Sequence, residues 1–137
     1  MTPSHHPPER HLDLLSDVSA AGRARDATHL FLHSVGDQGY PVLPAAVDAA
    51  VLVVTELVTN AVRHTDGPCS LDLALHGGLL DIDVTDTSSE PPVTRLPHLN
   101  GSGGWGWILV RHIAREVRVL PTSTGGKCIH VCIAVAG

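Results

Sequence analysis

The longest apolar segment of the chain runs from Ala45 to Val62 and is interrupted by charge only at Asp48 and Glu56. Its β-branched residues favour a strand, but roughly 20 residues is too long for an ordinary strand and normal for a helix. Pro44 fits the first turn of such a helix because its ring already fixes the required backbone angle. The pattern therefore predicts a long central helix.

Weaker patterns precede this helix. The first ten residues are polar and rich in Pro and His, which predicts a disordered tail over residues 1–10 and one folded domain over residues 11–137. Residues 11–18 alternate weakly and predict an edge strand. Apolar positions recur at nearly helical spacing from Ala20 to Val35, and Gly36 is expected to end that helix.

After His64 the period of the apolar positions changes from that of a helix to that of a strand. Two alternating segments, Cys69–His76 and Leu79–Asp86, flank a Gly-Gly pair and predict a β-hairpin. A proline-containing loop and a glycine-rich segment then lead into an apolar helix that begins near Trp107. A second hairpin is predicted at the end of the chain, with its last strand from Lys127.

This order of elements predicts an α+β fold, with helices packed on one face of a mostly antiparallel sheet. The chain has 137 residues, which fits one domain. Its net charge of −5 argues against a general nucleic-acid binder, which would carry a basic surface. Three cysteines, no apolar amino-terminal segment and a central helix interrupted by charge indicate a soluble cytoplasmic protein without contact to a membrane.

Two polar residues stand out in the central helix. Glu56 and Asn60 are four residues apart, so they share one helix face, and burying them is costly unless something polar meets them. The amide oxygen of Asn60 suits Mg²⁺, which prefers oxygen ligands, and the carboxylate of Glu56 suits a hydroxyl that must lose a proton. The alternative is a buried polar pair with a purely structural role, and these two residues alone do not decide between that role and ligand binding.

Two later features are also candidates for ligand binding. Asp86 falls at the end of the apolar face of its strand, where it either has a structural partner or receives a ligand at the edge of the core. The segment Asn100–Gly106 runs into a helix start, which presents backbone N–H groups that can hold phosphate. A flexible linker is the alternative explanation for its glycines.

Together these motifs resemble the GHKL ATPase superfamily, which includes the gyrase B subunit and the sensor histidine kinases. Glu56-x-x-x-Asn60-Ala61 resembles the N box, and the run to His64 is similar to that of small bacterial anti-sigma-factor serine kinases. The resemblance implies a Bergerat-type α/β sandwich that binds ATP and Mg²⁺. It also implies that Glu56 is the catalytic base, that Asn60 binds Mg²⁺, and that Arg63 and His64 lie near the phosphates.

The resemblance assigns roles to later residues as well. Asp86 matches the Asp that accepts a hydrogen bond from the adenine amino group, although Ser88 replaces a frequent Gly. The residues that match the lid and the phosphate-binding glycine box are Gly101, Gly103, Gly104, Trp105 and Gly106. Trp105 stands where the family often has Arg. Thr124–Lys127 resembles the last glycine-containing box, and Cys128 replaces a Thr that contacts phosphate.

The function implied by this resemblance is an ATP-dependent serine/threonine protein kinase. Its implied partners are a sigma factor and an anti-anti-sigma antagonist protein that it phosphorylates, and such kinases often form homodimers. The altered lid and Cys128 favour an alternative, an ATP-binding partner-switching module without efficient phosphoryl transfer. A domain without any nucleotide is the third possibility.

A metal site separate from the nucleotide is a rival interpretation of the last strand. Cys128, His130 and Cys132 alternate, so they share a face and could ligate Zn²⁺, although no fourth ligand is evident. Cysteine is also a common small apolar residue of protein cores. The pair His5-His6 is a second candidate, in a segment that predicts no structure.

Overall fold

The computed structural model describes residues 7–65, 67–89 and 105–136, and at His64 and Trp105 it describes the backbone only. These residues form three helices and five strands. In chain order they are β1 (Glu9–Leu14), α1 (Ala20–Asp37), α2 (Pro44–His64), β2 (Cys69–His76), β3 (Leu79–Asp86), α3 (Trp105–Ile113), β4 (Glu116–Pro121) and β5 (Lys127–Ala134). The predicted proline-containing loop and the glycines before Trp105 lie outside the described residues.

The five strands form one sheet in the order β1-β2-β3-β5-β4, and every neighbouring pair is antiparallel. Burial alternates along β2 and β3, as expected for strands with one face against helices and the other facing outward. The Gly77-Gly78 turn has φ of 55° and 78°, as a tight hairpin of this kind requires. The predicted α+β class, with helices on one face of an antiparallel sheet, is confirmed.

Helix α2 occupies the centre of the domain, between α1, α3 and the sheet. By length and composition alone it could cross a membrane. Its apolar residues are instead packed in the core of the domain, which accounts for their number. The α2 residues with exposures of 1% or less are Ala50, Val53, Val54, Leu57, Val58 and Ala61.

The sequence pattern predicted that helix α1 ends at Gly36, and this prediction is wrong. The helix continues to Asp37, and the left-handed residue that terminates it is Gly39, with φ of 99°. The N–H of Gly39 donates to the Gly36 carbonyl and the N–H of Tyr40 donates to the Val35 carbonyl, both at 3.0 Å. This pair of bonds is a Schellman motif, which needs its glycine one position after the cap.

Strand β1 begins at Glu9, inside the segment expected to be a tail, and it ends at Leu14 rather than Val18. The earlier start follows from pairing with β2, since Glu9 lies opposite Ala74 and the preceding Pro8 carbonyl accepts the Leu75 N–H at 2.9 Å. A polar turn follows Leu14. These partners are distant in sequence, so the weak local alternation could not set the boundary.

The outer face of the sheet carries a cross-strand row of charged and imidazole side chains. His11 Nδ1 lies 2.6 Å from Asp72 Oδ1, and His11 Nε2 lies 2.8 Å from Asp13 Oδ1. Asp72 in turn lies opposite Asp83 of β3, an arrangement of like charges that is unfavourable by itself. The hydrogen bond to Asp72, and to a smaller extent the one to Asp13, raises the pKa of His11 above its ordinary value of 6.5.

We therefore expect His11 to stabilise the fold more at acidic than at alkaline pH. Its folded-state pKa is raised, so its contribution is complete below about pH 6.5 and is lost as the pH rises through the folded-state pKa. The difference in free energy of unfolding between the wild type and His11→Gln, measured by urea titration, should decrease from pH 6 to pH 8. His29→Gln, at an exposed position of α1, supplies the baseline. A difference that does not change with pH would contradict the His11–Asp72 interaction.

Candidate functional site

Helix α2 places Glu56 and Asn60 on one face, and both residues are half-buried. The Asn60 Nδ2 atom is inaccessible to solvent and has no hydrogen-bond partner among the described residues. A buried amide N–H without an acceptor costs about 1–3 kcal/mol. Asn60 is therefore a polar group for which the described part of the chain supplies no structural partner.

The start of α3 lies directly against Glu56. A Cβ atom on Gly106, the second residue of α3, would overlap the Glu56 carboxyl group and come within 2.8 Å of its Oε1. Only glycine leaves space for this contact. It brings a carboxylate to the first turn of a helix, where the helix dipole favours negative charge.

Asp86, the last residue of β3, is buried and has a structural partner. Lys127 lies opposite it in register on β5, and Lys127 Nζ donates to both carboxylate oxygens, at 2.9 and 3.1 Å. The backbone N–H of Ser88 donates to Asp86 Oδ1 at 2.9 Å. The side chains of Lys127 and Asp86 are only 4% and 1% exposed, so this is a buried ion pair.

A second close approach fixes the position of β5 beside this carboxylate. A Cβ atom on Gly126 would overlap the Asp86 carbonyl oxygen and come within 3.0 Å of Thr87 Cα. These atoms belong to the backbone and cannot move without shifting the end of β3. Glycine at this position therefore lets β5 begin directly beside Asp86, with Lys127 as its first residue.

Hydroxyl groups join the carboxyl ends of α2 and β3. Thr65, the C-cap residue of α2, and Thr87 share a hydrogen bond of 2.6 Å between their Oγ1 atoms. Thr65 Oγ1 also accepts the Gly67 N–H at 3.1 Å, and the Thr65 carbonyl accepts the Ser16 hydroxyl at 2.7 Å. Because Thr87 follows Asp86, these bonds place Asp86 at the end of the domain where α2 terminates.

Part of the predicted site lies along the second half of α2 and the adjoining end of β3, at one corner of the domain. Glu56, two turns before the end of α2, meets the start of α3 at Gly106, and Asp86 meets the start of β5 beside the end of α2. Arg63 is exposed, and His64 is the last residue of α2. Gly101, Gly103, Gly104 and the Trp105 side chain lie outside the described residues.

Cys128 does not lie on the helix side of the sheet. Its Sγ is 3.6 Å from Asp83 Oδ1, and alternation along β5 places it on the outer face, away from Asp86. The expectation that this position stands in for a phosphate-contacting Thr conflicts with that placement. A side chain at position 128 does not reach the corner formed by α2 and β3.

The same face holds the candidate zinc ligands. His130 Nδ1 lies 2.7 Å from Asp83 Oδ1, and burial raises the pKa of the Cys128 and Cys132 thiols, which opposes formation of the thiolate that zinc requires. In the part of the chain that the structure describes, no three His, Cys, Asp or Glu side chains form a group able to hold a metal. The pair His5-His6 lies outside that part.

Sequence reasoning missed two features of this corner. It placed Lys127 in a glycine-containing box but did not pair it with Asp86, and it did not predict the Thr65–Thr87 bond. The available signal for the ion pair was composition, because Lys127 is the only lysine of the chain and follows two glycines. That signal marks the residue without identifying its partner.

Comparison with known proteins shows the family of the chain. Residues 18–133 match the family model of the histidine kinase-like ATPase domain. No curated protein sequence matches the chain.

Thirteen chains of solved structures match this chain, among them the two that follow. The crystal structure of the RsbU and RsbW domains of Rv1364c from Mycobacterium tuberculosis matches with a TM-score of 0.65 and 22% identity, over 94% of this chain. This chain spans only 33% of that one, and the likeness concerns the fold. The NMR structure of the histidine kinase domain of the E. coli osmosensor EnvZ matches with a TM-score of 0.48 and 16% identity, over 99% of this chain and 94% of that one.

The close approach at Gly126 predicts that alanine is poorly tolerated there. Gly126→Ala forces a Cβ atom into backbone atoms of Asp86 and Thr87, so we expect the free energy of unfolding to fall by about 2–3 kcal/mol. The matched control is Gly36→Ala in α1, where no heavy atom lies within 4 Å of the new Cβ. That variant should gain about 0.5–1 kcal/mol. Equal stabilities in urea denaturation would refute the tight β3–β5 contact.

Proposed function

Since the chain belongs to the family of histidine kinase-like ATPase domains, we propose that it binds Mg-ATP in the corner between α2, α3 and the ends of β3 and β5. We further propose that it transfers the γ-phosphoryl group to a serine or threonine of a partner protein. The observation that carries the proposal is the buried amide of Asn60, which has no hydrogen-bond partner among the described residues and lies one turn after Glu56.

The chemistry of Asn60 fits a magnesium nucleotide. Its amide oxygen is a ligand of the type that Mg²⁺ takes, and its buried Nδ2, which lacks an acceptor, can donate to a phosphate oxygen once the side chain turns toward the nucleotide. Mg²⁺ held by Asn60 would neutralise negative charge on the phosphate oxygens. An asparagine side chain can serve both contacts because it carries a donor and an acceptor.

Glu56 is the general base in this proposal. Its carboxylate accepts the proton of the substrate hydroxyl while the hydroxyl oxygen bonds to the γ-phosphorus and ADP departs. The contact with Gly106 holds this carboxylate at the first turn of α3. Glu56 then releases the proton to solvent.

The remaining assignments of the site are also proposals. Asp86 accepts a hydrogen bond from the adenine amino group, and Arg63 and His64 lie toward the phosphates. The backbone of the glycine-rich lid surrounds the phosphates, through Gly101, Gly103, Gly104, Trp105 and Gly106. The segment runs into the first turn of α3, whose backbone N–H groups are suited to anions and would be shared between the phosphates and the Glu56 carboxylate.

The proposed partners follow from the resemblance to anti-sigma-factor kinases. They are a sigma factor, which the domain binds, and an anti-anti-sigma antagonist protein, which it phosphorylates. A homodimer, a cytoplasmic location and the absence of contact with nucleic acid or membrane belong to the same proposal. The fold shared with the RsbU and RsbW domains of Rv1364c supports this direction without identifying either partner.

A partner-switching module that holds ATP without efficient transfer is the second candidate. It is favoured by Trp105 at the position where the family often carries Arg, because the cation there would have met the phosphates. The two candidates share the nucleotide site and differ only in whether Glu56 acts on a hydroxyl. A phosphoryl-transfer assay therefore distinguishes them.

The direct test combines Mg-ATP titration calorimetry with transfer of labelled phosphate to a candidate antagonist protein. Glu56→Gln should bind Mg-ATP within about threefold of the wild type and lose about 10²–10⁴-fold in transfer rate. Asn60→Ala should lose Mg-ATP binding. Asp48→Asn, at an exposed acidic position of α2, should retain both activities.

Each outcome of that experiment decides one point. No heat of Mg-ATP binding with the wild type would refute the nucleotide site and both candidate functions. Binding without transfer would establish the partner-switching module and refute the kinase. Transfer that survives in Glu56→Gln would remove Glu56 from the role of base.

Gly106→Ala should separate catalysis from stability. The new Cβ displaces the flexible end of the Glu56 side chain rather than backbone, so the free energy of unfolding should change by less than about 1 kcal/mol. The transfer rate should nevertheless fall at least about tenfold, because the base is moved. Gly22→Ala in α1, where the nearest atom to the new Cβ is 3.8 Å away, is the matched control. A normal transfer rate in Gly106→Ala would show that the observed position of Glu56 is not the one used in catalysis.

A further inference from the structure

The ion pair between Asp86 and Lys127 is the most deeply buried charged contact in the part of the chain that the structure describes. Its two side chains are 1% and 4% exposed, and the other ion pairs involve more exposed groups. Removing two charges from water is expensive, and two apolar side chains would often be as stable. The ion pair is thus weak evidence for a role in stability alone.

The described residues supply donors to three of the acceptor positions of Asp86. An ionised carboxylate has roughly four lone-pair sites. Lys127 Nζ uses one on each oxygen, and the Ser88 N–H uses a second on Oδ1. One lone pair of Oδ2 therefore has no donor among the described residues. Contacts to both oxygens also fix the rotation of the carboxylate.

The surroundings of Asp86 hold its carboxylate in one orientation. Lys127 is its register partner on β5, and the close approach of Gly126 to the Asp86 backbone holds the two strand ends together. The neighbouring Cys69 is buried, and desolvation and the charge of Asp86 raise the pKa of its thiol. That thiol stays neutral, so Lys127 is the cation that balances Asp86 among the described residues.

We propose that Lys127 is the positioning residue for base recognition, because its contacts to both oxygens fix the Asp86 carboxylate so that the remaining acceptor position of Oδ2 serves the exocyclic amino group of adenine. This inference rests on the proposed ATP site. A base with a carbonyl at that place, such as hypoxanthine or guanine, presents an acceptor to an acceptor. A site built around a donor on its ligand rejects an analogue that lacks the donor, because the carboxylate is then left unpaired.

A positioning role and a purely structural role make different predictions. If Lys127 only closes the ends of β3 and β5, its loss weakens the binding of every nucleotide by the same factor. If it positions Asp86, its loss changes the ratio between the affinities for an adenine nucleotide and its hypoxanthine analogue. The ratio is measured within one variant, so a general loss of folded protein cancels from it.

The experiment measures the dissociation constants of Mg-ATP and Mg-ITP for the full chain by titration calorimetry. The wild type should bind ITP about 100-fold more weakly than ATP. In Lys127→Met that ratio should fall at least about tenfold, and in Lys127→Arg, which keeps the cation, it should stay within about threefold of the wild type. Arg118→Met, which removes an exposed cation on the outer face of β4, should leave the ratio unchanged.

Lys127→Met leaves a buried carboxylate without its cation and is at risk of not folding. Lys127→Gln then carries the test, since its amide still donates a hydrogen bond but supplies no charge, and the same fall in the ratio is expected. The wild type offers a measurement without mutation as well. Because Lys127 is the only lysine, ¹⁵N-labelled lysine gives one Nζ signal, which Mg-ATP should shift and an equally saturating Mg-ITP should not.

The outcomes separate this inference from the proposed function. If the wild type binds neither nucleotide, both are overturned. If the wild type binds ATP but the Lys127 variants bind ATP and ITP more weakly by the same factor, the positioning role fails and the ATP site stands. The same conclusion follows if Mg-ATP does not shift the Nζ signal. A ratio near one in the wild type likewise overturns base recognition through Asp86.

Discussion

The packing of α2 against α1, α3 and the sheet determines where the polar groups of the candidate site lie. Its apolar face is almost completely buried, so the helix has little freedom to rotate or slide. Glu56 and Asn60 lie on the adjoining face of the same helix, so the packing of the helix also fixes their positions. A site built on a packed helix holds its side chains more precisely than a site on a loop. The residues that form the core and the residues proposed to meet a ligand are therefore neighbours on one helix.

Two glycines complete the corner by permitting close approach, and they do so against different kinds of atoms. At Gly106 the neighbour is the end of the Glu56 side chain, whereas at Gly126 it is the backbone of Asp86. The first contact positions the proposed base and can yield, while the second sets the spacing of β3 and β5 and cannot. Glycine thus makes room for a carboxylate at one position and for a neighbouring strand at the other, although both positions lie in glycine-rich segments that look alike in the sequence.

Local periodicity was sufficient to predict the helices and strands, but it was insufficient to predict which residues contact one another across them. The hairpin strands Cys69–His76 and Leu79–Asp86 follow from alternation, and the length of the apolar run identifies α2. The end of α1 was misplaced because the choice of Gly39 over Gly36 depends on a backbone angle and two capping bonds. The Asp86–Lys127 pair and the contact of Glu56 with Gly106 join residues about 40 and 50 positions apart, and no local pattern carries that information.

Asp86 and Asn60 both stood out as polar residues in apolar patterns, and the structure accounts for them in opposite ways. Asp86 receives three hydrogen bonds from its own chain, so its carboxylate is paired even without a ligand. The buried amide nitrogen of Asn60 receives no such explanation from the described residues. The case for a phosphate-bearing ligand therefore depends on Asn60, and burial of Asp86 adds nothing to it. What Asp86 would contribute in the proposed site is selectivity, because a carboxylate already fixed by a cation loses little freedom when it accepts one more donor.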